Sequence, residues 1–167
     1  MRGDGIDASR LRGKGRKRKW GLEELFYTYG VDLYFCGHEH NSERLFDVVK
    51  GETGRRTRDM QGTTYIVTGA GGNREGVTPF LSQAPARVAS RAEVWGYSIL
   101  EVHNATHVYY EQRACDRGEG REGEGRVRDE VVDSVWLVQH AHGPFEGLMG
   151  VGSGEGALRE KGSLAVA

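Results

Sequence analysis

The first regular pattern of apolar and polar residues has the period of an α-helix. Its apolar residues recur at i, i+3, i+4 and i+7 and predict one apolar helix face, formed by Leu22, Leu25, Phe26 and Tyr29. Gly30 predicts the end of this helix, and an apolar run of strand length follows over residues 31–36. A helix that leads directly into a strand is half of a βαβ unit, so the pattern favours an α/β sheet.

The later segments have the pattern of β-strands. Four runs predict strands, over residues 63–68, 95–102, 108–112 and 131–139. Asn104 lies between the second and third runs, where it suits a hairpin connection. The predicted fold class is therefore α/β, with mostly β-strands after one helix–strand unit.

Three stretches fall outside these patterns. Residues 116–130 are almost entirely Asp, Glu, Arg and Gly, which predicts a mobile, low-complexity loop. Residues 146–167 are glycine-rich without periodicity and predict a disordered tail. With residues 1–20 as a basic, disordered leader, the ordered part is expected to consist of residues 21–60 and 61–145.

Composition narrows the class of protein. The chain has 167 residues, 37% of them hydrophobic, below the ~45–50% usual for globular chains, so the core must be modest. No apolar run approaches the ~20 residues that a membrane span needs, and two cysteines cannot form a disulfide framework. We therefore exclude a transmembrane protein, a disulfide scaffold and a coiled coil, and we expect no membrane partner.

A net charge of -1 hides one strongly basic run. Between Arg10 and Lys19, seven of ten residues are Lys or Arg and none is acidic. Such a run is solvated, and it indicates either a nuclear-localisation or nucleic-acid patch or an exposed leader with no specific partner. The first 30 residues also lack the apolar centre of a signal peptide.

The candidate chemistry lies directly after the first predicted strand, at Gly37-His38-Glu39-His40. Ligand sites of open α/β sheets lie at the carboxyl ends of strands. In an extended segment, His38 and His40 would point to the same side, roughly 6–7 Å apart, and could each reach one ion of a metal pair ~3.5–4 Å apart. From spacing alone, a surface turn with two histidines explains the motif equally well.

The context of this motif resembles the purple acid phosphatases, a family of metallophosphoesterases. Residues 22–44 (LEELFYTYGVDLYFCGHEHNSER) are similar to the last metal-binding motif of that family, with its Gly-His-x-His followed by Glu-Arg. Four later blocks follow in the family's order: residues 68–76 (the glycine loop), 95–98, 103–107 and the pair 133–136 with 142–145. The resemblance implies the C-terminal part of a metallophosphoesterase α/β sandwich.

The resemblance also implies a mechanism. Purple acid phosphatases hydrolyse phosphate monoesters at a binuclear centre of Fe(III) with Zn(II), Mn(II) or Fe(II), where a metal-bound hydroxide attacks phosphorus. By this resemblance His38 would ligate the divalent ion and His40 the ferric ion, whereas Glu39 would have no essential role. The enzyme expected is thus an acid phosphatase, a phosphoric monoester hydrolase.

Some family positions differ in this chain. Ser42 stands where the family usually has Tyr, and Cys36 where it often has Trp, while Glu43 and Arg44 match. The family's remaining ligands all precede this region, so we expect an incomplete metal site and no catalytic side chain of this chain's own. The alternative is an inactive fragment or a non-catalytic binding module that uses the basic arm.

Partners and compartment follow from the same resemblance. We expect a phosphomonoester substrate and no nucleic-acid partner, and we leave open a homodimer formed through an exposed sheet. Asn104-Ala105-Thr106 is an N-glycosylation sequon, or an unmodified polar turn if the chain stays in the cytosol. The family points to a secreted or lumenal protein, although this N-terminus offers no signal.

The remaining notable residues favour structural roles. His140 and His142 suit a capping or surface role, and the tryptophans suit the core or its edge. Residues 69–72 indicate either a phosphate cradle or a tight bend after a strand. Cys36 suits a packed thiol.

Overall fold

The computed structural model describes residues 22–49, 52–80, 83–117 and 127–145. The predicted leader (1–20) and tail (146–167) lie outside the described residues. The described part contains one helix, α1 (Glu23–Tyr29), followed by eight strands. These are β1 (Leu33–Cys36), β2 (Ser42–Val49), β3 (Glu52–Thr53), β4 (Thr63–Thr68), β5 (Val88–Ala92), β6 (Gly96–Val102), β7 (His107–Arg117) and β8 (Val127–Val138).

Helix α1 ends where the sequence predicts. Gly30 has φ 66°, and the Val31 N–H donates to the Phe26 carbonyl at 2.9 Å. A Cβ on Gly30 would lie 1.8 Å from the Gly143 carbonyl oxygen, so both the left-handed backbone and the close approach require glycine. The predicted apolar face is only partly buried: Phe26 packs on the sheet, but Leu25 is 51% and Tyr29 73% exposed.

The first sheet has the order β1-β4-β2-β3, with β5 also paired to β2. Strand β1 runs parallel to β4, as an α/β sheet requires, whereas β2 is antiparallel to β4, β3 and β5. The chain passes from β1 to β4 through β2 and β3 and not through a helix, so these two parallel strands are joined without a helical crossover. Pairing between β1 and β4 also joins the predicted segments 21–60 and 61–145 in one sheet.

The sequence pattern does not predict strand β2, because its apolar and polar residues do not alternate. It is buried on both faces, and three of its buried residues are charged, each paired with a residue outside the strand: Glu43 with Arg91, Arg44 with Asp133 and Asp47 with Arg56. Buried charges of this kind are tolerated only when paired. Because the buried residues include charged ones, the sequence pattern does not show that this segment is a buried strand.

The second sheet is an antiparallel meander in the order β6-β7-β8. The β6–β7 hairpin turns at Asn104 as predicted. Strands β7 and β8 continue to Arg117 and from Val127, so both ends of the predicted loop 116–130 are wrong; residues 118–126 lie outside the described residues. Cross-strand charge pairs replace apolar alternation there, with Arg113 Nε donating to Asp129 Oδ1 at 2.6 Å.

One hydrophobic cluster lies between α1 and the first sheet. Its fully buried members are Leu45, Val48, Tyr65 and Val67, and Phe26 covers them from the helix. Burial raises the pKa of Tyr65, with a further contribution from the charge of Glu23. The resulting fold is mostly β, with one short helix.

The two sheets are joined by polar contacts. The Arg44 guanidinium donates to both oxygens of Asp133, at 2.7 and 2.9 Å. The hydroxyls of Thr68 and Ser98 lie 2.6 Å apart, and the Gly96 N–H donates to the Ala70 carbonyl at 2.9 Å. A bidentate pair between largely buried groups fixes orientation as well as distance. The end of β4 and the start of β2 are therefore anchored to the second sheet.

Candidate metal centre

The histidine loop, residues 37–41, follows the carboxyl end of β1 and leads into β2. His38 has φ 78°, a backbone conformation that is uncommon for a residue with a side chain. The His38 side chain is exposed, and that of His40 is 23% exposed. Strained backbone of this kind is often found at functional sites. Both predicted ligands thus lie in one irregular loop at the edge where ligand sites are expected.

A second segment, residues 69–78, holds the histidine loop in place. The Gly69 N–H donates to the Asn41 carbonyl at 3.2 Å, and the Thr78 N–H donates to the His40 carbonyl at 3.0 Å. In return, the His40 N–H donates to Thr78 Oγ1 at 3.2 Å. We call residues 69–78 the clasp segment, because its first and last residues both contact the histidine loop.

Glycine has a specific role at the start of the clasp segment. A Cβ on Gly69 would lie 1.9 Å from the Glu39 carbonyl oxygen, so any side chain there would displace the histidine loop. By contrast, a Cβ on Gly71 would meet nothing within 4 Å. The geometry supports the tight-bend interpretation of residues 69–72, since close packing explains Gly69 without a bound phosphate.

Beyond the glycines, the clasp segment turns at Asn73. The Asn73 Oδ1 accepts from the N–H groups of Glu75 and Gly76, at 2.7 and 2.9 Å. This turn brings Glu75 Oε2 to 3.9 Å from His40 Nδ1, although Glu75 is 84% exposed. A pair this long and exposed contributes little to the position of the imidazole.

Buried charges lie beneath the histidine loop. Glu43 Oε1 accepts from Arg91 Nε at 2.5 Å, and the Arg91 guanidinium also lies 4.4 Å from the centre of the Phe80 ring. Cys36 packs against the core, and burial raises the pKa of its thiol, as does the nearby negative charge of Glu43. Both effects keep the thiol protonated, which agrees with a packed residue and not with a thiolate ligand.

The described residues supply only part of a metal centre. Within residues 22–49, 52–80, 83–117 and 127–145, no group of three or more His, Cys, Asp or Glu side chains is placed to hold an ion. The two imidazoles are suitable ligands for zinc or iron, but such ions take about four to six ligands. His38 and His40 can therefore supply two ligands, and the described residues do not complete the first shell of an ion.

Other predicted residues have clear structural positions. Asn104 is exposed at the hairpin tip, where its Oδ1 accepts from the N–H groups of Thr106 and His107 and from the Thr106 hydroxyl. Trp136 does not lie in the core: it is 46% exposed and packs against Tyr109 and His103 on the outer face of the second sheet.

His140 and His142 connect distant parts of the chain. His140 Nδ1 lies 2.8 Å from Asp59 Oδ1. His142 Nδ1 lies 2.9 Å from Asp32 Oδ2 and its Nε2 2.6 Å from the Ala105 carbonyl oxygen. Both side chains lie at the surface, as the predicted capping or surface role allows, but their contacts also join distant segments, which local pattern could not reveal because the partners lie 81 and 110 residues away.

Fold and loop together define a class, the C-terminal part of a metallophosphoesterase. The fold matches the purple acid phosphatase from yellow lupin (Lupinus luteus) seeds with a TM-score of 0.56 and 21% identity, over 75% of this chain and 20% of that chain. Residues 62–122 match the family model described as iron/zinc purple acid phosphatase-like protein C.

Sequence relatives identify the family. The chain is 34% identical over 146 residues to acid phosphatase type 7 of Homo sapiens, covering 82% of this chain and 31% of that protein. It is 32% identical over 124 residues to Fe(3+)-Zn(2+) purple acid phosphatase 12 of Arabidopsis thaliana, covering 70% of this chain and 24% of that protein. The chain belongs to the purple acid phosphatase family and spans about a third or less of these relatives.

Among the described residues, no helix is long and apolar enough to cross a membrane.

Proposed function

We propose that this chain contributes the C-terminal part of a metal centre that hydrolyses phosphate monoesters, with His38 and His40 as metal ligands. The observation that carries the proposal is the histidine loop itself, which lies at the carboxyl end of β1 and is held by the clasp segment. The names of the relatives add the reaction class and the Fe(III)–Zn(II) pair. In this proposal His38 binds the divalent ion and His40 the ferric ion.

The chain's own contribution is to orient two imidazoles. Bound metal ions would supply Lewis-acid stabilisation of phosphate charge and would lower the pKa of a bound water. His40 is the more enclosed ligand, at 23% exposure, and its peptide is fixed by Thr78. Further ligands must come from outside the described residues, because two imidazoles leave a first shell incomplete.

A Zn²⁺ titration of the full chain tests this assignment. We expect Zn²⁺ to shift the imidazole NMR signals of His38 and His40 together, and His40→Ala to weaken binding at His38. The matched control is His103→Ala, since His103 lies at the hairpin with its Nε2 3.2 Å from Glu101. Unshifted His38 and His40 signals at millimolar Zn²⁺ would falsify the assignment. Hydrolysis of p-nitrophenyl phosphate by the chain loaded with iron and zinc is the accompanying assay.

We further propose that Asn104 carries an N-glycan and that the protein is secreted or lumenal. The sequon is supported by its exposure at the hairpin tip, where the described side-chain hydrogen bonds of Asn104 use Oδ1 and not Nδ2, the atom that a glycan modifies. Expression through a eukaryotic secretory pathway, with an added signal peptide, should give a product that loses mass on treatment with peptide N-glycosidase. Asn104→Gln should abolish that loss, and an unglycosylated wild-type product would contradict the proposal.

A further inference from the structure

We propose that Thr78 is a positioning residue for His40, and that Asn41 holds Thr78 in turn. The inference rests on the proposed function in one respect, that His40 is a metal ligand. Thr78 lies 38 residues from His40 in sequence, and neither the histidine motif nor the glycine pattern includes it.

Thr78 contacts the His40 backbone from both sides of the residue. Its Oγ1 accepts from the His40 N–H at 3.2 Å, and its own N–H donates to the His40 carbonyl at 3.0 Å. The Asn41 side chain closes the arrangement, with Nδ2 donating to the Thr78 carbonyl at 3.0 Å. Both backbone polar groups of His40 are thus bonded to one residue, which fixes the direction in which the imidazole leaves the chain.

Such a contact is needed because the histidine loop has no regular structure of its own. Residues 37–41 make no ladder hydrogen bonds within the described sheets, and His38 adopts φ 78°. Metal ligands must be held within about 0.5 Å of their working geometry, and loops do this less well than strands. Hydrogen bonds to Thr78 give His40 the fixed backbone that a strand would otherwise supply.

The burial of Asn41 supports the same arrangement. It is 0% exposed, and its Oδ1 has no hydrogen-bond partner among the described residues. Each polar atom of a buried amide that lacks a partner costs free energy, so the one hydrogen bond that Nδ2 makes is important for the position of this side chain. The hydrogen bond from Nδ2 to the Thr78 carbonyl orients Thr78 toward His40.

The side chain of Glu75 does not explain how His40 is held in position. It is 84% exposed and lies 3.9 Å from His40 Nδ1, beyond hydrogen-bond distance. Solvent screens a pair of this kind, and it leaves the backbone of His40 unconstrained. The position of His40 therefore depends on Thr78 and Asn41.

The test uses Thr78→Val, which keeps the branched shape and removes the acceptor, and Thr78→Ser, which keeps the hydroxyl. Zn²⁺ is titrated into each full-chain variant while the His38 and His40 imidazole signals are followed. We expect Thr78→Val to weaken Zn²⁺ binding about 10-fold, as loss of an outer-shell contact does. Thr78→Ser should restore most of the affinity. Thr106→Val is the matched control, because its hydroxyl bonds to Asn104 at the hairpin tip and should not affect Zn²⁺ binding.

Amide exchange of His40 separates the possible failures. The His40 N–H should exchange slowly in the wild type and about 10-fold faster in Thr78→Val, with Thr78→Ser close to wild type. Unchanged exchange and unchanged Zn²⁺ affinity in Thr78→Val would overturn the inference. If the wild-type chain does not bind Zn²⁺ at these histidines, the proposed function fails, while the exchange result still decides whether Thr78 holds His40. Should Thr78→Val not fold, Asn41→Leu removes the supporting donor at similar volume and is expected to weaken Zn²⁺ binding in the same direction.

Discussion

Two groups of histidines in this chain are held in opposite ways. In the histidine loop, the backbone of His40 is bonded on both sides, and the nearest charged partner of its ring lies 3.9 Å away. At the end of β8, the rings themselves are bonded: His140 to Asp59 at 2.8 Å, and His142 to Asp32 at 2.9 Å. The difference separates imidazoles that are available to an ion from imidazoles that join segments of the fold.

Whether the ring nitrogens are already hydrogen-bonded is therefore a better guide to metal binding than the presence of a histidine alone. Both nitrogens of His142 face oxygen acceptors, the Asp32 carboxylate and the Ala105 carbonyl, so the ring bonds to both only when it is protonated. A protonated ring has no lone pair for a metal. Within the described residues, His38 makes no such ring hydrogen bond, which leaves its nitrogens available.

The largest expected effect is on stabilisation by metal. Zn²⁺ at 100 times its dissociation constant should stabilise the wild-type chain by about 2.7 kcal/mol, because a ligand of the folded state shifts the unfolding equilibrium. His40→Ala should lose most of this stabilisation, and His142→Ala should retain it. The measurement is the thermal unfolding midpoint with and without Zn²⁺. Equal loss in both variants would erase the distinction between the two groups.

Glycine substitutions come next in size. In Gly69→Ala, the new methyl group would lie 1.9 Å from the Glu39 carbonyl oxygen, so the histidine loop must move. We expect a loss of about 1–3 kcal/mol in the free energy of unfolding, typical of overpacking. Gly71→Ala is the matched control, since its Cβ meets nothing within 4 Å. Urea denaturation of both variants checks the contrast, and equal stability would show that the bend does not depend on Gly69.

Local pattern predicted the elements whose information is local. Helix α1, strand β4 and the hairpin at Asn104 follow from apolar spacing and turn residues within a few positions, and all three are confirmed. Strand β2 was missed because pairing with distant residues, such as Arg44 with Asp133 across 89 positions, allows charges to be buried on it. The spacing of residues along the sequence does not predict such distant partners.

The residues of the candidate site and of the other histidine contacts also fall into two groups, those that local sequence reveals and those that only the fold brings together. The histidine motif is contiguous, so it is visible in residues 37–40, and its interpretation as a pair of metal ligands follows from the resemblance of residues 22–44. Thr78 and Asp32 act across 38 and 110 positions, and only the fold brings them to His40 and His142. The exposed face of α1 shows the converse, since apolar spacing predicts a helix face but does not say what covers it.

A smaller effect is expected from the pH dependence of His142. Burial alone lowers the pKa of this imidazole, but the bonds to Asp32 and Ala105 outweigh burial and raise the pKa above its ordinary value of about 6.5. The stabilisation should therefore be fully present below about pH 6.5 and be lost as pH rises through the folded-state pKa. We expect about 1 kcal/mol or less, because the side chain is 48% exposed.

Urea denaturation at pH 5.5 and pH 8.5 measures this contribution. The wild type should be more stable than His142→Gln at pH 5.5, with the difference shrinking at pH 8.5. His103→Gln is the control, because the charged partner of His103 is Glu101 in the same hairpin. A difference that does not depend on pH would show that His142 acts through packing and not through its charge.

The smallest expected effect concerns Asp59 and has the opposite pH dependence. Its slight burial raises the pKa of this carboxyl, but hydrogen bonds from the His140 ring and N–H outweigh burial and lower the pKa below its ordinary value. A lowered carboxyl pKa gives stability that is present above the unfolded-state value of about 3.9 and is lost as pH falls through the folded-state pKa. Because both side chains are at least half exposed, we expect a few tenths of a kcal/mol. Asp59→Asn should thus differ from wild type at pH 6 and match it near pH 2, by urea denaturation, whereas His142→Gln should differ most in the mildly acidic range. If the two variants lose stability over the same pH range, the two histidine contacts do not titrate independently.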